Sequence, residues 1–195
     1  MDKNTFCILP WIHTYVTAGN GVRACCEQQK DIDQFDTDLP TTINLPNYKK
    51  LRKELYNGIQ SSDCSYCWKK ENKNAVSMRQ QFNHNFKKLV NKEFVDSITN
   101  YDDFSLNDNF KLRYLDVRSS NLCNYRCRFC GLSLSSGWYK YYKLDPSNEV
   151  VNKLKSNKNF DPKTGVIEFD ISLLQIEKHI PYIEKVNLKF YFSID

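Results

Sequence analysis

The sequence predicts an α/β fold with an α+β N-terminal module, in which a cysteine-rich β-hairpin and helix precede strand and helix units. Three observations predict it. "WIHTYVTAGNGVRACC" alternates apolar and polar residues around a break at Gly19, Asn20 and Gly21. "NYKKLRKELYNG" has helical spacing, with Leu51 and Leu55 on one face. The last third reads strand, loop, helix, helix, strand, the order of a crossover between parallel strands.

Taken in order, the Asn-Gly break makes a hairpin that returns Cys25 and Cys26 toward Cys7. After the polar loop "DIDQFDTDLPTT", Asn47 is expected to cap the next helix and Gly58 to end it, delivering the chain to Cys64 and Cys67. Val76, Phe82, Phe86, Leu89 and Val90 suggest a second amphipathic helix, and "NYDDFSLNDN" reads as a turn-rich connector. These features divide the chain into a first module over 1–82, a linker over 83–110 and a second module over 111–195. In the second module "KLRYLDVR" is a strand that runs into "CNYRCRFCG", and "SLSSGWYKYYK" starts on serine caps and continues as a helix. "DPSNEVVNKLKSNKNFDPKTG" is a polar insertion, "ISLLQIEKHIPYIEKV" a helix broken near Pro181, and "VNLKFYFS" a second strand.

The 195 residues, 41% hydrophobic, suffice for a packed core, and no apolar run approaches the length of a membrane span. The N-terminus lacks the pattern of a secretory signal, so a cytoplasmic location and no membrane partner are expected. In that compartment 8 cysteines point to metal binding or thiol chemistry and away from disulfides. The net charge of +5 is scattered, and the basic stretches "YKKLRKELY" and "RQQFNHNFKKLVNK" read as wet helix faces, not as a nucleic-acid footprint. His13, His84 and His179 read as structural.

Cys123, Cys127 and Cys130 form C-x3-C-x2-C, with neither His nor Cys nearby to act as a fourth ligand. Structural zinc sites close with four protein ligands. Three thiolates holding an iron–sulfur cluster leave one metal ion open to a substrate or cofactor. A catalytic zinc with three cysteines and a water is the competing reading.

"NLCNYRCRFCG" resembles the signature of the radical S-adenosylmethionine enzymes, C-x3-C-x-Φ-C with Phe129 as the aromatic residue, placed after the first strand of a partial (β/α) barrel. The resemblance covers about the last 85 residues. It implies a [4Fe-4S] cluster on Cys123, Cys127 and Cys130, with S-adenosyl-L-methionine chelating the remaining iron. One electron then splits the sulfonium into methionine and a 5′-deoxyadenosyl radical that takes hydrogen from a substrate. On the same resemblance Phe129, Gly131 and Asn121 contact the cofactor, Phe129 near its adenine, and a reductant such as flavodoxin or ferredoxin supplies the electron.

"FCILPWIHTYVTAGNGVRACC", a helix and "CSYC" together resemble the twitch or SPASM auxiliary-cluster region. Carried over, Cys7, Cys25, Cys64 and Cys67 hold a second [4Fe-4S] cluster, with Cys26 an alternative to Cys25; a four-cysteine zinc ribbon is the competing reading. Here the auxiliary region precedes the barrel, as in a group of radical enzymes many of which are phage-encoded. A full barrel takes about 200 residues or more and a βα unit roughly 30, so the stretch after Lys111 is expected to hold only the opening of the barrel. The family's Gly-Gly-Glu-Pro-like turn would be expected where "KVNLKFYFSID" reaches Asp195, so the expectation is either a fragment of a split or interrupted gene or a chain whose sheet is completed by a second chain as partner. The alternative to an enzyme is a non-catalytic iron–sulfur or zinc module serving as a binding or regulatory subunit.

Overall fold

The computed structural model describes residues 1–35, 38–128, 130–145, 147–168, 170 and 189–191. The strands are β1 (His13–Val16), β2 (Gly21–Arg23), β3 (Asp33–Gln34), β4 (Thr99–Asn100), β5 (Ser105–Leu106), β6 (Tyr114–Arg118) and β7 (Lys189–Tyr191). The helices are α1 (Leu9–Ile12), α2 (Leu39–Ile43), α3 (Pro46–Tyr56), α4 (Ser65–Glu71), α5 (Met78–Asn85), α6 (Lys92–Ile98), α7 (Tyr139–Tyr142) and α8 (Glu149–Lys155). The chain is thus mixed α and β. No helix among the described residues is long and apolar enough to cross a membrane.

The main sheet has the order β3-β2-β1-β6-β7. The hairpin β1–β2 is antiparallel, pairing Tyr15 with Arg23, and its turn places Asn20 at φ 67, a conformation asparagine adopts more readily than most residues. β6 lies parallel to β1, with Tyr15 opposite Asp116, and β7 lies parallel to β6. The strand that leads into the Cys123 loop therefore extends the sheet of the first module. One core, from Phe6 to Val117, serves both.

Alternation along the strands gives the sheet two different faces. Val16, Val22, Leu115 and Val117 bury one face against α1 and α3, where Trp11 is fully enclosed and donates from Nε1 to Thr99 Oγ1 at 2.9 Å. The other face carries His13, Tyr15, Arg23, Asp116 and Arg118.

Several elements differ from expectation. Trp11 and Ile12 belong to the one-turn helix α1, so the hairpin starts at His13. Asn47 lies inside α3 and donates to Ile32 O at 2.7 Å; Pro46 opens the helix instead. Gly58, at φ 86, ends it, and the Ile59 amide reaches back to Glu54 O at 2.9 Å, the six-to-one bond of a Schellman motif. Arg52, expected on a wet face, is fully buried, its guanidinium donating to the carbonyls of Phe104, Pro10 and Ile43 and to Asn44 Oδ1. The 83–110 linker contains α6, capped by Asn91, and the β4–β5 hairpin. The polar insertion contains α8, whose cap Asn148 accepts from the Val150 and Val151 amides. The helix expected over "ISLLQIEKHIPYIEKV", together with His179 and Phe129, lies outside the described residues.

Candidate metal centres

Cys7 is held from α5. Asn83 donates to Phe6 O at 2.8 Å and accepts from the Ile8 amide at 2.9 Å, and Arg79 donates to Phe6 O at 3.0 Å. Arg79 is itself fixed by Glu71 through bonds of 3.0 and 2.6 Å, and it stacks on Trp68. Cys25 follows β2, where Gln28 Oε1 accepts from the Ala24 and Cys25 amides. Cys64 ends a single 3-10 turn, and Cys67 lies in α4, with Trp68 tied to Ser61 O at 2.8 Å.

These four thiols sense one another electrostatically: Cys7 feels Cys67, Cys25 feels Cys7 and Cys67, and Cys64 feels all three. Burial is the first cause that pushes each of them up, Cys7 to about 12. Backbone amides act the other way, from Leu9 on Cys7, Glu27 on Cys25 and Arg79 on Cys67, joined at Cys67 by the Ser77 hydroxyl. Amides aimed at sulfur stabilise thiolate and suit a set of metal-bound thiolates. All eight cysteines are free thiols, and among the described residues no three His, Cys, Asp or Glu side chains converge on a single metal ion.

Cys26 belongs elsewhere. Burial, then the Asp116 and Glu27 carboxylates, push its thiol up. It lines a cavity of about 420 Å³ on the polar face of the sheet, together with Tyr15, Arg23, Arg118, Ser133 and Leu134. Burial also raises the Tyr15 phenol, against the pull of the Arg118 and Arg23 guanidiniums. Below them His13 is enclosed between Ala24 O, at 2.8 Å from Nδ1, and Asp116 Oδ2, at 3.3 Å from Nε2.

Cys123, Cys127 and Cys130 occupy the irregular loop that leaves β6, Cys127 exposed and the other two half-buried. The serines expected as helix caps hold this loop instead. Ser135 Oγ donates to Cys123 O at 3.0 Å and to Tyr125 O at 2.6 Å, while the Gly137 amide donates to Cys123 O at 2.8 Å. The Cys130 amide closes a turn on Cys127 O at 3.0 Å. Arg118 bridges the loop's two stems, donating to Ser120 O and Leu134 O.

Asn121, expected to touch a cofactor, is fully buried and committed to backbone: it donates to Leu132 O and Gly165 O and accepts from the Ile167 amide at 2.7 Å. It is a positioning residue for the loop. Gly131 has open space where a side chain would start. Sequence reasoning missed Arg79, Asn83 and Asn121 as anchors; the one legible signal was Ser77 and Gln80, which form the capping box of α5 beside Cys67.

The donor sets suit soft metal groups: four thiols that sense one another, three of them facing backbone amides, and three further thiols on one anchored loop. Cys25 of the first set follows the end of β2, and the three-cysteine loop leaves β6 at the opposite end of the same sheet. Compared with known protein families, curated proteins and solved structures, the chain matches none.

Proposed function

We propose that the chain is a radical S-adenosylmethionine iron–sulfur protein with an N-terminal auxiliary-cluster module. The observation that supports this reading is the pairing of four mutually sensing thiols, one of them at the end of β2, with three thiols on the anchored loop that leaves β6 of the same sheet; a cavity of about 420 Å³ on the polar face of that sheet is lined by Cys26, Arg118, Ser133 and Leu134. Cys123, Cys127 and Cys130 would hold the cofactor-binding [4Fe-4S] group, and Cys7, Cys25, Cys64 and Cys67 the auxiliary one. Cys25 is preferred over Cys26 because it is the one coupled to Cys7 and Cys67. When bound, the first cluster supplies the electron that cleaves S-adenosyl-L-methionine and starts hydrogen abstraction from the substrate.

The chain's own residues orient and shield. Asn121, Ser135 and the Gly137 amide fix the loop that presents the three thiols, and Arg118 locks its stems to the end of β6. Tyr15, Arg23 and Arg118 give the cavity a wall of hydrogen-bond donors for polar groups of cofactor or substrate. On this reading β6 and β7 are the opening strands of a partial (β/α) barrel, the protein works in the cytoplasm, and its electrons come from flavodoxin or ferredoxin.

Anaerobic reconstitution tests it. About two clusters' worth of iron and sulfide per chain, and 5′-deoxyadenosine formed on reduction with S-adenosyl-L-methionine, are expected. Cys127→Ala should lose one cluster and the nucleoside, and Cys64→Ala the other cluster. Stoichiometric zinc without sulfide would replace this reading with a structural module.

A further inference from the structure

The net charge of +5 is not spread evenly. Residues 1–110 contain 14 basic and 14 acidic side chains, whereas 111–168 contain 11 basic and 5 acidic. Part of that excess gathers in one place although the residues are scattered in sequence. Arg126, Lys140, Lys143 and Lys163 line a cleft of about 290 Å³ beneath the Cys123 loop, with Ser136 and Thr164 in its wall.

None of these four cations forms an ion pair within the described residues. Three of them rest on aromatic faces instead: Arg126 at 5.3 Å and Lys140 at 5.1 Å from the Tyr141 ring centroid, Lys143 at 5.7 Å from that of Tyr139. A cation on a ring keeps most of its charge available, so the cleft projects a positive field. The acids on neighbouring turns are tied back, Asp145 to Ser147 and Asp161 to Thr164. Tyr125, between the lining residues Asn124 and Arg126 in sequence, stands out into solvent at 72% exposure, and Tyr141, which carries Arg126 and Lys140, is 47% exposed.

We propose that this cleft, lined by Arg126, Lys140, Lys143 and Lys163 and flanked by Tyr125 and Tyr141, binds the phosphodiester backbone of a single-stranded nucleic acid. Cations following a backbone beside exposed rings are the two parts of single-strand recognition, since unpaired bases stack on such rings and paired bases do not. A duplex would use the cations and leave the tyrosines idle. The inference goes beyond the cluster chemistry and does not rest on it, because the cleft is built from α7, the turn before Gly165 and the anchored stems of the loop. It also separates true from apparent basic patches. In α3, Lys49 is paired with Asp103, Lys50 with Glu54, and Arg52 is buried.

The test is fluorescence anisotropy of the 195-residue chain with labelled 12-nucleotide oligouridine RNA, oligothymidine DNA and a duplex of equal length. Saturable binding to a single strand that weakens steeply with salt is expected; the tighter of the RNA and DNA arms identifies the strand. Lys140→Glu with Lys143→Glu, both exposed, should weaken binding by about tenfold or more, and Tyr125→Ala by about threefold or more, while Lys50→Glu on α3 changes nothing. Equal binding by wild type and the double variant, or duplex binding as tight as single-strand binding with Tyr125→Ala silent, overturns the proposal. Photocrosslinking of thiouridine-containing RNA to the wild-type chain gives a second readout: crosslinks at Tyr125 or Tyr141 support it, and crosslinks confined to α3 overturn it.

Discussion

A methyl group at position 137 would stand 2.9 Å from Asn124 O and 3.0 Å from Cys123 O, both backbone atoms of the three-cysteine loop. Neither can rotate away, so Gly137→Ala must displace the segment that presents Cys123. The expected result is loss of about half the reconstituted iron at a stability cost of only about 1–3 kcal/mol, read from metal analysis and urea unfolding; full iron retention would mean that the loop geometry is irrelevant to loading. Arg52 is the opposite kind of residue, committed to backbone carbonyls and central to stability. Its guanidinium satisfies three carbonyls and Asn44 Oδ1, drawn from α1, the end of α2 and the β4–β5 turn. Arg52→Leu leaves those acceptors buried and unpaired, for an expected loss of about 3–5 kcal/mol in urea unfolding. Arg52→Lys should not restore it, because an ammonium lacks the planar fork that reaches all four.

Among the elements, those whose signal is local were legible and those whose cause is distant were not. Asn20 and Gly21 announce the hairpin, and Leu51, Leu55 and Gly58 announce α3 and its end, because turn conformation and helix periodicity are written within a dozen residues. α8 was hidden because Val151 is its one fully buried position, too little for an amphipathic stripe, although Asn148 marks its start. The three-cysteine motif was legible as spacing; the ties from Ser135 and Asn121 were not, because they join the loop to residues whose types suit caps and turns equally well. Least legible was the pairing of β1 with β6, a parallel contact across about a hundred residues that no hairpin dictates. It makes the two expected modules mechanically one. Val117 is buried on the core face opposite Val16, so Val117→Asp in the second module should unfold the first. The check is hydrogen exchange: β1 amides should lose protection together with those of β6, whereas independently stable modules would leave β1 protected.

At the scale of the whole molecule, the four thiols of the first set tie stability to pH. In the metal-free chain Cys7 moves from its ordinary 9.0 to about 12, and Cys25, Cys64 and Cys67 move the same way, burial being the first cause for each. The folded chain therefore holds these protons more tightly than the unfolded one. The resulting stability is complete below about pH 9 and is lost as pH rises toward about 12, at up to ~1.4 kcal/mol per pH unit for each thiol that differs fully. Bound metal reverses the dependence, because its cation replaces the protons and keeps the sulfurs as thiolates, leaving acid as the threat. Urea midpoints measured from about pH 7 to 10 should thus fall above about pH 9 for the metal-free chain and stay level there for the loaded one. The window matters, since buried Tyr48 and hydrogen-bonded Tyr101 have raised pKa values too, but the unfolded-state tyrosine titrates only near about pH 10. Metal-free Cys7→Ala should show a shallower alkaline fall than the metal-free parent. An unchanged slope in that variant would assign the alkaline loss to other groups and would separate the Cys7 thiol from the stability of the fold.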